Sequence, residues 1–474
     1  MSLSSSISNA LSGLSVTSRA AQLVSENLAN AMDANFSRRG LELTSSREGG
    51  ASISGVHRFV DAALLSDRRN GLARAGLATE SASSARALEQ VIGSPDDPSS
   101  IPALLNNFDA SLRFLEGDAG SEIRLKDTFA SAKALANRLN SAQDSIQAQR
   151  LNADQKIASE VRSLNANLRQ IVDLNEQIVA ANVNGRDANA LLDQRQKLID
   201  SVSEIVPVRE MPRNHGSTSL VTANGMMLVD DSAVEIEFSS ANQILPHMTF
   251  QAGHLGGLEI DGQTIPFTSD TSPLAGGRLN ALFEIRDTLA PKAQDQIDAF
   301  ALDLATRFHE LPRDSDVTLG APGLFTDDGA RVEQADQVGL AGRLQINLNV
   351  DPDQGGALWR LRSGMNAATA LPPGDASIVT EMIAALGMQS PSSGTLFEHA
   401  ASLTSNAAQT SSSLENEESF ANARLSQLTQ MQLQNGVDTD AELQKLLSIE
   451  MNYAANAKVI QTIDEMFATI MRIN

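Results

Sequence analysis

Apolar residues at the start of the chain fall in a narrow stripe. Leu3, Ile7, Ala10, Leu14, Thr17, Ala21, Val24 and Leu28 follow one another at alternating spacings of four and three, the rhythm of a coiled-coil seam. The other face carries Ser, Asn, Gln and Thr, with no charge before Arg19. The end of the chain repeats the device. A helix predicted over residues 438–473 lines up Leu446, Ile449, Tyr453, Asn456, Ile460, Ile463, Phe467 and Ile470. Asn456 is the polar position of that seam and Thr17 the soft one of the first; a polar residue inside a seam can fix register. An ordinary amphipathic helix lying on its own core would show a similar stripe. Isolated helices are marginal in water, so both ends are expected to order fully only when neighbouring subunits supply the missing surface. The candidate packing residues are Leu3, Ile7, Leu14, Val24, Leu28, Leu446, Ile449, Tyr453, Asn456, Ile460, Ile463, Phe467 and Ile470.

Between these ends the periodicity changes several times. Residues 31–60 read as an irregular or extended connection punctuated by Gly40, Gly49, Gly50 and Gly55. Helix is predicted over 61–92, then a loop holding Pro95, Pro98 and Pro102, then helix over Ile101–Leu115. A long helix follows over 123–183, where Ile157, Val161, Leu164, Leu168, Ile171, Asn175 and Ile178 keep the four-three spacing. Its length would be about 90 Å. Gly185 is a natural stop, and a shorter helix over Asn189–Ile205 ends before Pro207. Alternation then replaces helical spacing. Leu220–Val229 turns at Asn224-Gly225; Val234, Ile236 and Phe238 alternate with Glu235 and Glu237; Asp261-Gly262 separates two more apolar runs. Alternation around Asn-Gly or Asp-Gly is a hairpin signature.

Helix returns over 276–310, with Pro291 starting a new segment and Pro312 ending it. Residues 313–374 look mixed, with Leu344, Ile346, Leu348 and Val350 alternating as a strand, and a short helix covers Asp375–Gly387. Leu396, Ala400, Leu403, Ala407, Thr410, Leu414, Glu417, Ala421, Arg424, Leu428 and Met431 hold a heptad register until Asn435-Gly436. The expected fold is mainly α with an inserted β domain (α+β). Residues 1–35 with 437–474 form a terminal coiled-coil domain; 36–207, 276–311 and 375–436 form a helical bundle; 208–275 form a β-rich domain. The segment 312–374 joins one of the last two.

Composition narrows the function. Of 474 residues, 42% are hydrophobic but only 4% aromatic, so apolar contacts come from aliphatic side chains, which suits helix packing. The formal net charge of −22 argues against nucleic acid and against an anionic membrane surface, both of which call for clustered Lys and Arg. It fits self-repulsion and solubility before assembly. The absence of cysteine removes disulfides, thiolate metal sites and cysteine nucleophiles. The run MSLSSSISNALSGLSV lacks a positive n-region, so no secretory signal is expected, and no apolar run is long enough for a membrane span.

Catalytic chemistry was sought and not found. His57, His215, His247, His254, His309 and His399 are scattered. His309-Glu310 begins like a zinc-protease helix, but Arg313 stands where the second His belongs and Pro312 breaks the helix. Asp351-Pro352-Asp353-Gln354-Gly355-Gly356 resembles a calcium loop, yet Arg362 replaces the required Glu. There is no phosphate-binding loop and no nucleophile elbow. No catalytic residue, metal or cofactor is expected, and the chain reads as no enzyme.

Two terminal blocks carry a family resemblance. The run NGVDTDAELQKLLSIEMNYAANAKVIQTIDEMFATIMRIN is similar to the C-termini of flagellar rod, hook and hook-associated proteins. ISNALSGLSVTSRAAQLVSENLANAMDANFSRRGLEL resembles the matching N-terminus, with Asn27-Leu28-Ala29-Asn30 at the family's Asn-rich signature. Asn189–Ile199, Gly276–Asp287 and Gly323-Leu324-Phe325 resemble blocks of the hook–filament junction members. Phe36-Ser37-Arg38-Arg39 and His309–Gly320 depart from the pattern, which leaves those loops unspecified. The resemblance implies a structural subunit exported unfolded by the flagellar type III apparatus. It implies a homo-oligomeric ring lined by the terminal helices, outside the cell, with hook protein and hook-associated protein 3 as neighbours. An export chaperone would hold the C-terminal helices. The alternatives are another axial protein such as hook-associated protein 3 or flagellin, an enzyme displayed on the flagellar surface, and a cytoplasmic coiled-coil scaffold.

Overall fold

A computed structural model describes all residues except 1–2, 34, 46–48, 95–96, 266, 268–271, 310, 312–320, 392 and 474, and leaves out the side chains of Leu3, Ser4 and Ile473. Pro95, Glu310, Pro312, the stretch 313–320 and the packing of Leu3 therefore lie outside the described residues.

The chain is mainly helical with small antiparallel sheets inserted. Helix α1 spans Leu3–Ala29, and strands β1 (Arg39–Ser45) and β2 (Ala51–Arg58) follow as one hairpin. Of the irregular or extended connection expected over 31–60, the extended form holds for Arg39–Ser45 and Ala51–Arg58, and their pairing into a hairpin was not foreseen. The hairpin packs on α1, so these residues lie with the terminal helices and not with the bundle to which 36–58 had been assigned. A bulge between Glu42 and Leu43 interrupts the pairing, which hides its alternation in the sequence.

Four long helices come next. Helix α2 (Ala62–Ile92) starts where the Asp61 carboxylate accepts from the Ala63 and Leu64 amides. Helix α3 spans Ile101–Glu116, α4 Glu122–Val183 and α5 Asn189–Ile205. All four match the spans read from the sequence to within a residue or so. Strands β3 (Val208–Pro212), β4 (Thr218–Thr222) and β5 (Met227–Val229) make one three-stranded sheet, and β6 (Ile236–Phe238), β7 (Leu258–Ile260) and β8 (Gln263–Ile265) another. Asp261 and Gly262 both have positive φ, the geometry of the two-residue turn that joins β7 to β8.

Helix α6 (Gly277–Glu284) runs through a π turn at Ile285–Leu289 into α7 (Ala290–Arg307). Pro291 was expected to start a new segment. It stands in the first turn of α7, where a proline needs no regular helical hydrogen bond, and the π turn joins that start to α6 without a break. Strand β9 (Phe325–Asp327), a short helix α8 (Leu340–Arg343) and β10 (Leu344–Ile346) follow, then α9 (Arg360–Ser363) and α10 (Ser377–Gly387). The strand predicted through Val350 stops at Ile346: Leu348 is exposed, and the chain turns at Asn347, whose side chain donates to the Pro322 and Gly323 carbonyls. The chain closes with α11 (Leu396–Asn435), begun by a Thr395–Glu398 capping box, and α12 (Thr439–Ile473).

Two main cores form on the one helix α4. Its first half, from Leu125 to Ile146, packs with α3, α7, α10, the start of α11 and residues from Leu324 to Met365. The described part of 321–374 thus lies on the helices. Asp298 of α7 holds it there, accepting from the Gly339 amide at 2.7 Å and the Ala341 amide at 2.9 Å. Burial pushes the Asp298 carboxyl up despite these bonds. The second half of α4, from Ala153 to Ile171, packs with α5, α6 and both three-stranded sheets. Along α11 the expected register holds at Leu414, Ala421 and Leu428, and the positions between them shift by one residue. Glu417 and Arg424 point to solvent, while Ser411, Glu418 and Leu425 face inward toward α2. The charged members of the heptad reading lie on the wet side, and Thr410 is half-buried.

Candidate functional site

The candidate packing residues of both ends are gathered into one unit, in which α1 lies along α12. Gly13 allows the close approach: a Cβ there would stand 2.7 Å from Asn456 Nδ2. Beyond the end of α1, Arg38 reaches Glu442 of the first turn of α12 at 3.7 Å. Gly13 thus faces the middle of α12 while the segment just past the end of α1 faces its start, so the pair is antiparallel. Val24, Ile449 and Ile463 are buried in it, and Ile7, Leu14, Leu28, Leu446, Asn456 and Ile460 are half-buried. The stripes therefore cover each other within one chain. Tyr453, Phe467 and Ile470 are left out, with 49%, 42% and 48% of their surface exposed. A second apolar set on α12 was not singled out in the sequence: Leu443, Leu447, Met451, Val459, Met466 and Met471 are all exposed. Aliphatic residues in such number on one surface helix mark a contact surface.

A second group of residues, also missed, joins this unit to the rest. Asn27 is fully buried; its amide donates to the Arg39 carbonyl at 2.9 Å and accepts from the Arg39 amide at 3.0 Å. That bracket fixes the start of β1 against the end of α1. Arg39 then donates to Asp193 of α5 at 2.6 Å, and Arg58, its partner across the hairpin, donates to the other oxygen of the same carboxylate. The resemblance marked out Asn27 and Asp193 as members of family blocks, but nothing in their spacing told what they hold.

One large cleft lies elsewhere, about 1090 Å³, between the π turn, the 249–257 loop and α11. Arg150 on its wall is buried and donates to the Arg286, Leu245 and Met248 carbonyls, so its charge is spent on closing loops. Burial pushes its guanidinium pKa down. No group of three or more His, Asp or Glu that could hold a metal occurs among the described residues, and no helix there is long and apolar enough to cross a membrane.

Residues 430–473, which take in α12, match the family model of the flagellar basal body rod FlgEFG protein C-terminal. That segment is thus similar to the C-termini of flagellar rod proteins. Residues 85–323, half of the chain, match the model of the flagellar hook-associated protein FlgK helical domain. The chain belongs to the FlgK family of flagellar hook-associated proteins. Flagellar hook-associated protein 1 of Salmonella typhimurium is 27% identical over 63% of this chain and 56% of its own length. That of Bacillus subtilis is 23% identical over 55% of each. The chain thus spans about half the length of the curated relatives it matches. A solved structure, the flagellar hook junction protein FlgK from Burkholderia pseudomallei, overlays with a TM-score of 0.45 at 20% identity, over 56% of this chain and 46% of that one.

Proposed function

We propose that this chain is a structural subunit of the bacterial flagellum, set between hook and filament, and that it catalyses no reaction. Its family membership supports the flagellar role. The observation that carries the packing mode is the second apolar face of α12. The seam toward α1 is used inside the chain, so Leu443, Leu447, Met451, Val459 and Met466 remain for a neighbouring subunit. Copies joined through that face would close into a ring, with hook protein and hook-associated protein 3 as neighbours above and below. Tyr453, Phe467 and Ile470, exposed at the same end, extend the contact. The subunit works outside the cell after type III export, and an export chaperone covers the apolar face of α12 beforehand.

Deletion of the gene tests the role. Hooks should remain while filaments are lost, and the wild-type chain should restore swimming. Leu447→Asp should fail to restore it while the purified chain keeps its helicity, because a charge on the apolar face opposes assembly and not folding. Filaments of normal length in the deletion strain would overturn the proposal.

A further inference from the structure

The unit formed by α1, the β1–β2 hairpin and α12 shares no apolar core with the rest of the molecule. Among the described residues, none of this unit enters any of the three hydrophobic clusters of the body. The chain crosses to the body twice, at Phe59–Asp61 after β2 and at Gly436–Asp438 before α12; both crossings are short, the first exposed and the second half-buried at Gly436 and Val437. Without a hydrophobic interface, two short crossings alone would leave the angle between unit and body free.

Side-chain bonds set that angle, and they converge on α5. Asp193 accepts from Arg39 and Arg58 on separate oxygens. Arg58 also reaches Gln196 of α5 at 3.4 Å, while its bond to Ser37 at 3.1 Å and that of Arg39 to Glu26 at 3.2 Å hold the two guanidinium groups within the terminal unit. The Asp193 side chain is 17% exposed and each guanidinium 13%, so the pair is partly shielded from solvent and stronger than a surface contact. A peripheral pair, Arg19–Asp187, is longer at 3.6 Å and more exposed. We infer that Asp193 is a latch: its grip on Arg39 and Arg58 holds the terminal unit at one tilt, and its release lets the unit swing about the two crossings. The same subunit can then present its terminal helices at more than one angle to its body.

The native chain has no cysteine, so a pair of spin labels can be placed without background. With Ser15→Cys on α1 and Ser201→Cys on α5, both exposed, double electron–electron resonance on the full-length chain should give one narrow distance peak. Asp193→Asn should at least double its width, and so should 1 M salt on the unmutated latch, where screening shortens to about 3 Å. Asp187→Asn should leave the peak unchanged. Circular dichroism must show unchanged helicity in each variant. Should Asp193→Asn lose helicity, the double variant Arg39→Gln with Arg58→Gln attacks the latch from the hairpin side and must broaden the peak equally. An unlatched width already present in the parent chain, no broadening in any latch variant, or equal broadening by Asp187→Asn would each overturn the assignment to Asp193.

Discussion

Asparagine does a recurrent job here that only coordinates reveal. Asn27, Asn165 and Asn175 each donate to the carbonyl and accept from the amide of one strand residue: Arg39, Ile236 and Thr218 in turn. An amide side chain thereby replaces a neighbouring strand. Ile236 lies in β6, the edge of its sheet, and α4 supplies its missing partner through Asn165. Asn165→Asp keeps the acceptor but sets a carboxylate against the Ile236 carbonyl. It should cost about 1–3 kcal/mol, the penalty for a buried polar group left without its partner, read as a fall in urea midpoint. In the sequence these asparagines look like neutral interruptions of helical stripes, because their use depends on strands distant in the chain. Asp303 is another hidden residue. Burial alone would raise its carboxyl, but hydrogen bonds from His399, Arg307 and Ser393 outweigh that and bring it from 3.8 to about 2. A depressed folded-state value stabilises above the unfolded one and is lost as pH falls. The stability gap between wild type and Asp303→Asn should therefore be full at pH 6 and shrink as pH drops from 3.8 toward 2, as thermal melts across that range would show.

At the scale of elements, the helices were legible and the short strands only in part. α2, α3, α4 and α5 each repeat a periodic stripe long enough to exceed local noise, and their ends carry Asp, Ser, Gly or Pro signals. The β1–β2 hairpin was missed because its turn is longer than a two-residue Asn-Gly loop and its pairing is bulged. The Gly276-Gly277 block was noticed as a family feature without a reason. The fold supplies one. Gly277 has φ +71, and a Cβ there would collide with the Ile205 carbonyl at the end of α5. The start of α6 therefore lies directly against the end of α5. Gly225→Ala, at positive φ but in open space, should cost about 1–3 kcal/mol through backbone strain alone, and Gly277→Ala should cost more, because it must also part these two helix ends. A denaturation series on the two variants separates collision from strain alone.

Across the whole molecule, the sequence anticipated a helical chain with β insertions and paired ends, but not which surface stays open. Periodicity marks an apolar face; it does not say whether that face meets the chain's own other end or another copy. The separation of the terminal unit from the body leaves the two crossings without a core to protect them. Limited proteolysis of the soluble chain should cut first at residues 59–61 and 436–438 and leave a fragment spanning 62–435; early cuts inside α4 would contradict this division. That helix has a further consequence. At 62 residues it is about 90 Å long, and it supplies one wall to each main core without a break between Ile146 and Ala153. A twist applied to the β-bearing end is then resisted by hydrogen bonds wound in series along a single rod, and it arrives at the other core as rotation instead of being absorbed in a linker. Mechanically the body behaves as a spindle, stiff in torsion along its length, with its compliance confined to the joint at one end.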